Sequence, residues 1–272
     1  MSRIPLAGVI GAPVGHSRSP RLHGTWLHDY RIAGHYVPLH VEADDLERVL
    51  RALPAMGFVG VNVTIPHKEV ALALADDVTE MAARIGAANT LSFRDGRIHA
   101  DNTDGYGFIA NLRQAAPDWR PDTGAALVLG AGGAARGIVV ALQDAGVRDI
   151  RLTNRSRARA EELAAEFGCA VQDWDARADG LGDLGLLVNT TALGMDGQPA
   201  LEMPLDALSA GALVADIVYT PLETPLLRDA RARGLQAVDG LGMLLHQAVP
   251  GFERWFGRRP EVTAKLRAVV LA

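Results

Sequence analysis

The stretch GVNVTIPHKE, residues 60–69, ends an apolar run with three polar side chains, Asn62, Thr64 and Lys68. In an open α/β domain ligands bind beyond the carboxyl ends of the strands, so Lys68 is placed to meet one. A solvated surface charge is the plainer account of Lys68 taken alone. Asn89 in GAANT, with Asn102 and Asp104 in DNTDGYG, lies in turn-rich sequence. Each is an ordinary turn former, yet together they supply donors and acceptors for a polyhydroxylated ligand. Upstream, HSRSP sets Ser17 and Ser19 before Pro20. Ser followed by Pro is a helix-start signal, which predicts Ser19 as the cap of a helix reaching about Tyr30. Ser17 is then surplus to capping, a first hint of a ligand site, and a helix start also suits an anion.

A second chemistry lies further on. LVLGAGGAARG contains Gly130, Ala131, Gly132, Gly133, Ala134 and Ala135, a G-x-G-x-x-A pattern after a β-like run and before a helix. Small residues let backbone approach a pyrophosphate, and the helix start offers it free N–H groups. A tight β-α turn without ligand, or the glycine turn of an adenosylmethionine-dependent enzyme, gives the same pattern. The end of the next strand is more selective. An NAD site carries an acid there for the ribose 2′-hydroxyl, whereas this chain has Asn154, Arg155, Ser156, Arg157 and Arg159. Guanidinium groups suit a 2′-phosphate, and positive charge at a helix start calls for a compensating anion, so NADP is the expected cofactor.

The elements that must hold these residues follow from the pattern. Short apolar runs alternate with longer helical ones almost throughout, the signature of an α/β chain with mainly parallel sheets. Asp95-Gly96 predicts a hairpin turn between two β-rich runs. Gly146 and Gly168 read as helix stops. A chain of 272 residues, 49% hydrophobic, is long enough for two domains, and the Pro/Asp/Gly-rich stretch DWRPDTG reads as the region of change. The expected fold is a two-domain α/β protein: an N-terminal substrate domain, residues 1–104 plus helices 241–272 packed back on it, and a Rossmann-type NADP domain, residues 105–240. The cleft between them is the expected two-substrate site. A net charge of -5, from 27 basic and 32 acidic residues, gives no field for nucleic acid or an anionic membrane. The lone Cys169 excludes an internal disulfide. No His/Cys/Asp grouping has ligand spacing, so no metal is expected. No apolar run is long enough to span a membrane and no export signal opens the chain, so the expected location is the cytoplasm.

The blocks GAPVGHSRSPRLH, GVNVTIPHKE, IGAANTL, DNTDGYGF, LGAGGAARG, NRSRARAEEL, NTTALGM, DIVYTPLETPLL and GLGMLLHQA stand in the order and spacing of one family. The chain resembles the shikimate/quinate dehydrogenase family over nearly its whole length. The resemblance implies NADPH-linked, reversible reduction of 3-dehydroshikimate to shikimate, with these small molecules as the expected partners. It implies Lys68 and Asp104 as the catalytic pair, Lys68 giving the proton and Asp104 orienting it. It implies a carboxylate site of Ser17 and Ser19, with Thr64 and Tyr219 near the same group. Asn62, Asn89 and Gln247 fall around the substrate hydroxyls. Gly130 to Ala135, Asn154, Arg155, Ser156, Arg159, Thr191, Gly240 and Met243 fall along the cofactor. Two positions depart from the family pattern: Ser156 where Thr is usual and Ala192 where Ser is common. An NAD-linked quinate enzyme is one alternative, against which Ser19 and Arg155 weigh, and a catalytically silent nucleotide-binding regulator is another. The oligomeric state is left open, with a homodimer as one expectation.

Overall fold

The computed structural model describes residues 4–272. They divide into two compact units, one of residues up to Thr103 with Leu245–Ala272, the other Asp104–Leu244.

The first unit begins with β1 (Leu6–Gly11), α1 (Ser19–Asp29) and β2 (His35–His40), followed by α2 (Leu46–Ala52), β3 (Phe58–Val63) and α3 (Lys68–Ala73). It continues through β4 (Asp77–Val78), α4 (Glu80–Ile85), β5 (Thr90–Arg94) and β6 (Arg97–Asp101). The sheet order is β2-β1-β3-β5-β6-β4, parallel across its first three strands and antiparallel at β3/β5 and β5/β6. The connection after β1 leads to one side of that strand and the chain returns to its other side at β3. This makes the carboxyl ends of β1 and β3 a topological switch point. The hairpin expected at Asp95-Gly96 forms, with both residues at positive φ, 53° and 74°.

One face of this sheet is sealed by Leu46, Leu50, Ala71 and their neighbours around Ile10, Val61 and Leu91. On other elements of the unit Trp26, Phe252 and Trp255 form an aromatic group around His23 and Tyr36. Gly60 explains how a helix comes so close: a Cβ there would lie 1.9 Å from Trp255 Nε1, which donates to Leu91 O at 3.1 Å.

The second unit opens with α5 (Asp104–Ala115), then β7 (Ala125–Leu129), α6 (Gly133–Ala145), β8 (Ile150–Thr153), α7 (Arg157–Phe167) and β9 (Ala170–Val171). After β10 (Leu184–Asn189) come β11 (Leu213–Asp216), α8 (Pro225–Ala232) and β12 (Gln236–Val238). The order β12-β11-β10-β7-β8-β9 is parallel throughout, a Rossmann sheet with its switch point between β7 and β10. Phe108, Ile138 and Leu163 cover one face, and Leu181, Leu201 and Leu226 the other. The DWRPDTG stretch lies inside this unit, between α5 and β7. The last helices are α9 (Gly240–Phe256), within which the unit boundary falls, and α10 (Ala264–Leu271), whose first turn Thr263 caps through Leu266 N at 3.1 Å.

Candidate active site

Ser17 and Ser19 follow β1, and Asn62, Thr64 and Lys68 end or follow β3, so the switch point of the first sheet gathers them. Asn62 is the hub. Its Nδ2 donates to Asn89 O at 3.1 Å and to Thr90 Oγ1 at 3.2 Å, and its Oδ1 accepts from the Tyr36 hydroxyl at 2.8 Å. Asn89 Oδ1 in turn accepts from Thr103 N at 2.8 Å and sits 2.9 Å from the Thr90 hydroxyl. Asn89 Nδ2 donates to Gln247 Oε1 at 3.3 Å, and Thr103 Oγ1 donates to Gln247 O at 2.8 Å. Asn62, Asn89 and Gln247, far apart in sequence, thus belong to one hydrogen-bonded set. Tyr36, Thr90 and Thr103 complete it, although the sequence singled out only their neighbours Asn89, Asn102 and Asp104.

The structure corrects the reading of Ser19 as the helix cap. Arg18 occupies the cap position and makes no side-chain capping bond, and Ser19 is the first residue of α1. It is Ser17 whose Oγ accepts an N–H, that of Ser19, at 3.3 Å. Ser19 is buried. Asn102 is structural, with Nδ2 donating to Ala87 O at 2.9 Å.

Lys68 opens α3, and its carbonyl accepts from Ala88 N at 2.9 Å, which ties that helix start to the segment leading to Asn89. The chain has two lysines, Lys68 and Lys265, against 25 arginines. Lys265 pairs with Asp29 on the surface, at 2.7 Å. Arginine does not release its proton, and of the two lysines Lys68 is the one at the switch point.

Asp104 and Tyr219 belong to the second unit. Asp104 begins α5, and Tyr219 lies in the segment after β11. That segment is fixed by Asp216, which is 2% exposed. Asp216 accepts from Val218 N at 2.9 Å, from the Thr224 hydroxyl at 2.7 Å and from Asn189 Nδ2 at 3.0 Å. Asn189 Oδ1 then holds Thr191 through N at 3.0 Å and Oγ1 at 2.7 Å. One buried carboxylate therefore anchors both the Thr191 loop and the Tyr219 segment. Burial pushes its pKa up to about 6, opposed by the bonds from Val218, Thr224 and Asn189. The sign follows: the folded chain holds this proton more tightly than the unfolded one, so the ionised group weighs against the fold above pH 6, and the penalty fades as pH falls toward 4. Asp216→Asn removes the charge. Its stability relative to the parent should improve by about 1.4 kcal/mol between pH 5 and pH 8 in urea titrations, and a pH-independent difference would refute this origin.

The glycine loop fits a dinucleotide. Gly130 follows β7 at φ 115°, where a Cβ would meet Thr190 Oγ1 at 2.5 Å. At Gly132 and Gly133 an added Cβ would meet nothing within 4 Å, so this backbone borders open space at the start of the 13-residue α6. Ala131 and Ala134 are half-buried and Ala135 is buried against the core. Of the arginines past β8, Arg157 is held by Glu161 and Asp173. Arg155 and Arg159 are exposed and make no ion pair among the described residues. Asn154 Nδ2 donates to Ser156 O at 2.9 Å, shaping the turn that carries them. Gly240 and Met243 start α9, where Asn111 Nδ2 donates to Asp239 O at 2.8 Å.

Family models match three stretches: a shikimate dehydrogenase substrate binding domain over residues 9–91, shikimate / quinate 5-dehydrogenase over 115–192, and a shikimate 5′-dehydrogenase C-terminal domain over 240–271. A shikimate dehydrogenase (NADP(+)) of Paracoccus denitrificans is 64% identical over 98% of this chain and 96% of its own. The chain belongs to the shikimate dehydrogenase family. Among solved members and neighbours of this family, shikimate 5-dehydrogenase of Thermus thermophilus in complex with NADP(H) and shikimate has a TM-score of 0.88 at 36% identity, covering 99% of each chain. A 5-ketofructose reductase of Gluconobacter has a TM-score of 0.92 at 33% identity, covering 99% of this chain and 98% of its own. No metal-ligand cluster occurs among the described residues, and no described helix is long and apolar enough to cross a membrane.

Proposed function

We propose that this chain catalyses the reversible, NADPH-linked reduction of 3-dehydroshikimate to shikimate. The observation that carries the reading is the single hydrogen-bonded set at the first switch point, which joins Asn62, Asn89 and Gln247. These residues are the ones that family position assigns to substrate, and a fixed array of amides and hydroxyls suits a ring bearing a carboxylate and several hydroxyl groups. Ser17, Ser19, Thr64 and Tyr219 hold the carboxylate; Asn62, Asn89 and Gln247 read the hydroxyls. NADPH, when bound, supplies the hydride. The residues that would hold it are Gly130 to Ala135 at the pyrophosphate, Asn154, Arg155, Ser156 and Arg159 at the 2′-phosphate, Thr191 along the cofactor, and Gly240 and Met243 toward the nicotinamide. Lys68 gives the proton to the carbonyl oxygen and Asp104 orients that amine. The first unit is then the substrate domain and the second the cofactor domain. The cytoplasm is the proposed location.

Initial rates with shikimate and quinate, each paired with NADP and NAD, test the reading. Shikimate with NADP should be the fastest pair. Faster turnover of quinate with NAD would replace the reading, and folded protein inactive with all four pairs would favour a silent nucleotide-binding protein.

A further inference from the structure

The hydrogen bonds around Asn62 have only one consistent direction. The Asn89 carbonyl can only accept, so the Asn62 group facing it at 3.1 Å is the NH2. Asn62 Oδ1 therefore faces Tyr36, 2.8 Å away, and the Tyr36 hydroxyl must be the donor. A single backbone carbonyl thus sets the sense of the bond between Tyr36 and Asn62. Both side chains are buried, where an unmatched partner costs more than it does in water.

The phenol ring is also held flat. His23, fully buried, stacks on Tyr36 with centroids 3.9 Å apart and planes 2° from parallel. Neither ring nitrogen of His23 has a hydrogen-bond partner. Burial takes its pKa down to about 3, so it stays neutral at working pH. It contributes a flat aromatic surface and no hydrogen bond.

We propose that Tyr36 is a positioning residue for substrate recognition: it fixes the Asn62 amide in one orientation, and His23 backs its ring. This rests on the reading that Asn62 meets the substrate. It assigns a role to a strand residue that neither the motif pattern nor the family resemblance picked out.

The test is Tyr36→Phe, which keeps the ring and its stack. KM for shikimate should rise roughly tenfold or more, with kcat within about threefold and KM for NADP unchanged, since the lost bond acts on binding at one site. In a cycle with Asn62→Ala, the double variant should be no worse than the poorer single one, because Tyr36 acts through the Asn62 amide. Wild-type KM for shikimate in Tyr36→Phe, or full additivity in the cycle, would overturn the proposal and leave the proposed reaction standing. If wild-type protein neither binds nor oxidises shikimate, the proposed function fails and takes this inference with it. Should Tyr36→Phe not fold, proton NMR of the wild type decides: a protected Tyr36 hydroxyl resonance should move on adding shikimate and stay put on adding NADP. No such resonance, or one indifferent to shikimate, counts against it.

Discussion

Lys68→Ala is expected to lower kcat with shikimate by roughly 10²–10⁴-fold, the usual contribution of a positioned acid, while KM changes by less than about tenfold. Lys68→Arg sharpens the result. It keeps a positive charge at the start of α3 and so retains any purely electrostatic help to the substrate, but it cannot give up its proton. Both variants should therefore lose kcat to a similar extent, with KM nearer normal in Lys68→Arg. A Lys68→Arg enzyme turning over within threefold of wild type would reduce Lys68 to a charge and move proton transfer elsewhere. The surface Lys265, paired with Asp29, is the control, and its replacement should leave both constants unchanged.

Much of this arrangement was legible because burial imposes period. Strands such as β7 and β10, buried at every residue, read as continuous apolar runs, and the glycines after them mark the turns. The α5 segment, DGYGFIANLRQA, was not legible as a helix, since two glycines and an asparagine lower its propensity. Tertiary packing overrides that: a Cβ on Gly105 would lie 2.8 Å from Ala141 Cβ and 2.9 Å from Gly137 O, so the glycine that weakens α5 alone lets it lie against α6. The two-residue strands β4 and β9 are too short to show any period. At the site, the types of residue were legible and their wiring was not. Ser-Pro correctly announced the helix, but Ser19 is its first residue and it is Ser17 whose hydroxyl takes a backbone N–H.

Replacing Arg155 and Arg159 together by Ala is expected to reduce kcat/KM with NADP by roughly a hundredfold and to change the value with NAD by no more than a few-fold. The two guanidinium groups are exposed, which caps the effect, yet they stand past β8 on a helix start whose own cap residue, Ser156, makes no side-chain bond. A 2′-phosphate there gains two charge-assisted contacts and the unpaired N–H groups of α7 at once. NAD, lacking that phosphate, loses nothing when the arginines go. Arg157 separates this from a general effect of positive charge. It lies between the other two in sequence and carries the same charge, but Glu161 and Asp173 already hold it. Arg157→Ala should leave the NADP preference intact. If it instead lowers kcat/KM with NADP as far as the double variant does, selectivity arises from the net field of the segment rather than from two free guanidinium groups.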